Sequence, residues 1–177
     1  MIMDIKELLA QIAVGYKSAL SEKYEGHPMA KLIREQSKAV LSPILSDEYL
    51  MIKGSAGIAS WTFNPWIVIF NRNETDGVQD GVYVAYLFSD DLSRVYLALM
   101  HGVDKRLSEY GKAVAFQQID AISATIRADF KYEVSSKGFN SATVILEISI
   151  DCRYIRELHI LVYAVLLRLL PQVLIHF

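Results

Sequence analysis

The sequence predicts an α+β fold, with a central sheet of about five strands, helices packed on it, and a single domain over residues 1–177. Three observations lead there. Apolar runs of strand length at 66–70, 82–88 and 95–101 follow one another between turn residues and are rich in Val, Ile, Tyr and Phe. Stretches with apolar residues at helical spacing flank them on both sides. The chain, at 177 residues, can bury on the order of two-thirds of its unfolded surface in one core.

Each element has a local cause. Asp4 with Glu7 resembles a capping box, and Ile5, Leu8, Leu9, Ile12, Tyr16, Ala19 and Leu20 form one stripe of a first helix. Gly26-His27-Pro28 breaks it, and Pro28 suits the first turn of a second helix, where its missing N–H costs nothing. Met29, Leu32, Ile33, Gln36, Val40 and Leu41 carry that helix to Ser42-Pro43. Residues 49–53 read as a short strand entering the small-residue loop Gly54-Ser55-Ala56-Gly57. An aromatic loop follows, Trp61 to Trp66, then the three strand runs. Residues 71–81 form a polar hairpin loop with turn chemistry at Asp76-Gly77 and Asp80-Gly81, and Ser89-Asp90-Asp91 makes the next turn. The run from Val95 is apolar on both faces, which predicts a central, covered strand. Residues 102–111 are a charged connector, helical in part, and 112–130 a third long helix. A strand at 142–150 and a buried apolar helix within 153–177 complete the chain.

Composition narrows the function. The chain is 53% hydrophobic and 21% charged, a globular mix, with net charge −2. It lacks the overall basic surface that phosphate neutralisation uses, so any nucleic-acid contact must come from a local patch. Lys31, Arg34 and Lys38, on the outer side of the second helix, are the best such patch in the first third; the other reading is a solvated face. The lone Cys152 allows no disulfide within the chain and fits a reducing compartment, so a cytoplasmic protein is expected. The start, MIMDIKELL, does not read as a leader. The uncharged run at 160–167 is short of the roughly 20 residues of a membrane span. An oligomer interface is the alternative use for this apolar tail.

No catalytic residue, metal or cofactor is expected. The four histidines stand at no metal-ligand spacing, and neither HExxH nor CxxC occurs. The Gly54–Gly57 loop is no P-loop, and Ser55 sits in no nucleophile elbow. Cys152 and His159 lack an orienting third group. Asp129-Phe130-Lys131, with Asp120 upstream, has the acid-x-Lys spacing of metal-dependent nucleases, but both acids fall on a predicted helix. The aromatic set is left. Trp66 opens one strand, and Tyr83, Ala85 and Leu87 share a face of the next. A slot for a flat base and plain core packing are both open readings of these residues.

The blocks KGSAG, W-x3-PW-I-x-IF, G-x-Y-x-x-Y-L-F-S-x-D and V-Y-L-x-L, with His27-Pro28-x-Ala30-Lys31-x-Ile33-Arg34 upstream, resemble the N-terminal domain family of McrB-type methylcytosine-dependent restriction proteins. The resemblance covers residues 1–130 and fades after Lys131, leaving 131–177 as a divergent strand plus apolar helix. It implies a mixed, curved sheet and a non-catalytic reader of double-stranded DNA carrying modified cytosine. It further implies a base pocket at Trp66, Tyr83 and Leu87, and a DNA-contacting loop of Lys53, Gly54, Ser55, Gly57, Ile58 and Trp61. Aromatic residues occur in the family at the Ile58 position; an apolar wedge remains chemically available there. Motor and nuclease activities would then belong to another domain or subunit. The rival expectations are an interaction or oligomerisation module that binds no DNA, and a nuclease subunit.

Overall fold

The computed structural model describes residues 3–45 and 47–129, together with the short strand pieces Ser141–Ala142, Val162–Tyr163 and Leu167–Arg168. Helix α1 spans Ile5–Ala19, and Asp4 caps it by accepting from the Glu7 N–H at 2.8 Å. Its buried residues, Leu8, Leu9, Ile12, Tyr16 and Ala19, are the stripe that the periodicity predicts. The second helical stretch begins as α2 (Pro28–Lys31), passes through a π-helical turn (Leu32–Gln36) and ends as α3 (Ser37–Leu41). His27 caps it: its Nδ1 accepts from the Met29 N–H at 3.0 Å, while its Nε2 meets a Glu22 carboxylate oxygen at 3.0 Å. That pattern fits the neutral ring with its proton on Nε2.

Four long strands follow: β1 (Leu50–Ser55), β2 (Trp66–Asn71), β3 (Val82–Phe88) and β4 (Arg94–His101). With β7 (Leu167–Arg168) they form an open five-stranded sheet in the order β1-β2-β3-β4-β7. Every pair in it is antiparallel, where a mixed sheet is expected. The reason is local: loops without a crossover helix join β1 through β4 in sequence, so each strand returns beside its predecessor. β5 (Ser141–Ala142) and β6 (Val162–Tyr163) pair separately.

Alternation divides the sheet into two faces. Ile52, Ile67, Ile69, Tyr86, Phe88 and Val95 pack with α1, α2 and α3 into the main core. The opposite face carries Val68, Phe70, Tyr83 and Ala85, with Met51, Trp66, Val78, Leu87 and Met100 against them. Helix α4 (Asp104–Asp129) begins inside the stretch expected as a connector and is interrupted at Gly111, whose φ of 72° and ψ of 168° are not helical. Of the apolar tail expected as a helix, the described residues are the strand pieces β6 and β7. The rest of that segment lies outside the described residues, as do Cys152, His159 and His176.

Candidate nucleic-acid interface

The loop after β1 is held in place by the backbone and by rings. Gly54 lies so close to the π-helical turn that a Cβ there would come 1.8 Å from the Ile33 carbonyl oxygen. Only glycine lets the strand edge and the helix approach this far. At Gly57, φ is +116° and a Cβ would meet the Ser60 carbonyl oxygen at 1.9 Å. Ser55 Oγ accepts from the Gly57 N–H at 3.2 Å, so the turn also has a side-chain brace.

From below, Tyr16 reaches through the core to the same loop. Its hydroxyl donates to the Thr62 carbonyl at 2.7 Å and lies 3.2 Å from the Ala56 carbonyl. Burial raises this phenol above its ordinary range, with the Thr62 hydrogen bond opposing, so it stays a donor. Ala56 is fully buried and accepts from the Thr62 N–H at 2.9 Å. The Gly57 carbonyl accepts twice, from the Tyr24 hydroxyl and from the Arg34 guanidinium at 3.0 Å. Trp61 packs edge-on against the rings of Tyr16, Tyr24 and His27, with centroids at 5.5, 5.0 and 4.9 Å, and its Nε1 donates to the Glu22 carbonyl at 2.8 Å.

What this frame presents is apolar. Ile58 is 94% exposed at the tip and Phe63 is 58% exposed beyond it. Burying an isoleucine is worth ~1.5–3 kcal/mol, and the fold takes none of that from Ile58. Phe63 is a residue that sequence reasoning passes over, because nothing in the order of residues separates it from its packed neighbour Trp61.

The pocket candidates stand on the face away from α1–α3. Ser55, Trp66, Leu87 and Tyr96 are successive partners across β1, β2, β3 and β4. The loop therefore leaves the sheet from the row that holds Trp66 and Leu87. Tyr83 lies at the other end of β3, opposite Phe70, roughly 13 Å from Leu87 along the strand. Between them is Ala85, fully buried, with Ala98 across from it, so the smallest side chains fall between the large ones. Trp66, Tyr83 and Leu87 thus join one apolar cluster, Tyr83 buried and the other two half-buried. Burial foremost, and the Asp104 carboxylate second, push the Tyr83 phenol up to about 12. Tyr86, one residue before Leu87, faces the helices instead.

Beside this cluster is an open cleft of about 810 Å³ lined by Lys53, Asp76, Gln79, Asp80, Asp104 and Lys105, among others. The Lys53 ammonium lies 5.0 Å from the Phe70 ring centre and 3.4 Å from the Asp76 carbonyl, on the pocket face. Burial alone would raise the Asp80 carboxyl; the Gly81 N–H, Lys105 and Arg106 more than offset it and hold the group below its usual range. Lys105 and Arg106 stand 3.5 and 3.6 Å from that carboxylate. Arg72, at the far end of β2, contacts the Met51 sulfur at 2.6 Å.

Among the described residues no group of three or more His, Cys, Asp or Glu side chains could hold a metal ion. Asp120 and Asp129 both lie on α4, the placement that argues against converging nuclease carboxylates. No helix among the described residues is long and apolar enough to cross a membrane.

Residues 11–156 match the family described as MrcB-like, N-terminal domain. The match continues past Lys131, where the sequence resemblance is expected to fade. No curated protein matches the chain.

Proposed function

Because this chain belongs to the MrcB-like N-terminal domain family, we propose that it is the DNA-reading part of a restriction system and that the DNA it reads carries modified cytosine. The modified base leaves the stack and enters the face formed by Trp66, Tyr83 and Leu87. Lys53, Gly54 and Ser55 at the end of β1, with Gly57, Ile58 and Trp61 in the loop that follows, meet the duplex, and Ile58 enters the space the base vacates. The chain performs no chemistry; a motor or nuclease in another domain or subunit cuts.

One observation carries this reading. The loop that exposes Ile58 springs from Ser55, directly across from Trp66, which is directly across from Leu87. An apolar wedge and an apolar, aromatic-walled receptacle on one row are the two parts that base extrusion needs. A core-only role accounts for the cluster of Trp66, Tyr83 and Leu87 but gives no reason to hold Ile58 in solvent on a loop that Tyr16, Tyr24 and Arg34 brace at the Thr62 and Gly57 carbonyls.

The experiment is a titration at low salt with duplexes of one sequence holding methylated, hydroxymethylated or plain cytosine. Tighter binding to one modified duplex is the expected result. Equal affinity for all three would reduce the reading to general DNA binding, and no binding to any duplex would end it.

A further inference from the structure

The stretch from Pro28 to Leu41 carries Lys31, Arg34 and Lys38 against a single acid, Glu35. All three cations are exposed. Neither Lys31 nor Lys38 has an ion-pair partner among the described residues. Arg34, between them, is joined to the wedge loop itself through the Gly57 carbonyl at 3.0 Å, with its guanidinium 5.1 Å from the Tyr24 ring centre. A guanidinium has five N–H donors, so that hydrogen bond leaves others for an anion. The basic row is thus physically continuous with the loop that presents Ile58.

The other flank of the loop is acidic. Asn64 donates to Asp90 at 2.5 Å, tying the aromatic loop to the turn between β3 and β4. Asp91 in that turn accepts from Ser89 Oγ at 2.6 Å and from the Ser93 N–H at 3.0 Å. These hydrogen bonds hold its carboxyl at about 2, so it is ionised whenever the protein is folded near neutrality. On the basic flank three cations stand against the one acid of the stretch, Glu35, while ahead of it Glu22 meets His27 and Glu25 pairs with Lys23. A polyanion meeting this loop is attracted from one side and repelled from the other.

We infer that the sugar-phosphate backbone of duplex DNA runs along Lys31, Arg34 and Lys38, with the π-helical turn setting this basic row against the wedge loop. The inference rests on the DNA-reading role proposed above and assigns the sequence-independent part of binding to a helix face, apart from the base pocket. Lys31 and Lys38 position the duplex; they read no base.

The test uses the full chain and a plain duplex titrated over a series of salt concentrations, with the methylated duplex alongside. The variants are Lys31→Ala/Lys38→Ala and, as control, Lys112→Ala on α4. Each phosphate contact adds about 0.9 to the slope of log affinity against log salt. The double variant should lose roughly 2 from that slope and bind roughly 10–100-fold more weakly near 0.1 M salt. The methylated-to-plain ratio should not move, and Lys112→Ala should match the parent. Both lysines are exposed, so the circular dichroism spectrum and melting temperature should be the parent's. An unchanged salt slope in a parent that binds DNA overturns this inference and leaves the DNA-reading role standing. A parent that binds no duplex overturns both.

Discussion

Gly54 shows how much one missing Cβ decides. The Ile33 carbonyl occupies the place a side chain would take, with Ser37 Oγ donating to that same carbonyl at 2.6 Å. Gly54→Ala must push the edge of β1 off the π-helical turn. We expect a loss beyond the about 1–3 kcal/mol of an ordinary overpacked core, read as a lower urea midpoint at unchanged m-value. Tyr16→Phe removes the donor that satisfies the Thr62 carbonyl and should cost about 1–3 kcal/mol by the same measurement. Tyr83 adds a pH dependence. Its phenol ionises near 10 when unfolded and at about 12 when folded, because burial and then Asp104 disfavour the phenolate. Its contribution to stability is complete below pH 10 and is lost as pH rises through 12. Stability of the parent should therefore fall over that interval, and more gently in Tyr83→Phe. Some slope will remain in the variant, since burial also raises Tyr16 and Tyr86.

Among the elements, the loop between β1 and β2 separates two residues that look alike in sequence. Trp61 is tied to Tyr16, Tyr24, His27 and the Glu22 carbonyl. Ile58 is free in solvent. Trp61→Ala should lower stability by about 3–5 kcal/mol, whereas Ile58→Ala should leave the melting temperature unchanged and weaken binding to modified DNA. Thermal unfolding followed by a titration of each folded variant separates the two effects. The strands were legible in the sequence because alternation and turn residues report the pairing directly: β3 falls at Val82–Phe88 as its residues predict. The π-helical turn was not, because the apolar spacing of an α-helix and a π-turn hardly differ over five residues, and the close approach to Gly54 comes from a distant strand. Trp61 could not be told from Phe63, since its packing partners belong to α1 and to the segment ahead of α2. Trp66 and Leu87 were readable as neighbours once the hairpin register was assumed, but the link from Arg34 to Gly57 leaves no mark in either local sequence.

At the scale of the molecule, the sheet has one face for folding and one for the candidate site. Helices cover the first; the second gathers Trp66, Tyr83 and Leu87 in a smaller apolar cluster beside a polar cleft. A net charge of −2 is compatible with DNA contact because the cations are segregated: Lys31, Arg34 and Lys38 on one flank of the wedge loop, Asp90 and Asp91 on the other. As the reading part proposed above, with Asp120 and Asp129 both on α4, the purified chain is expected neither to hydrolyse nucleotides nor to cut DNA. Mg²⁺-dependent cleavage abolished by Asp129→Ala would overturn that expectation.

The central claim is that the Trp66 row receives a modified cytosine, and Trp66→Ala tests it most directly. Base–aromatic stacking is worth about 1–3 kcal/mol, so the folded variant should bind methylated duplex roughly tenfold or more weakly. Its affinity for the plain duplex should stay close to the parent's, since phosphate contacts carry that binding. The quantity to read is the methylated-to-plain affinity ratio from paired titrations of parent and variant: a collapse toward unity is the predicted result, and a ratio equal to the parent's would make Trp66 a core residue and contradict the account.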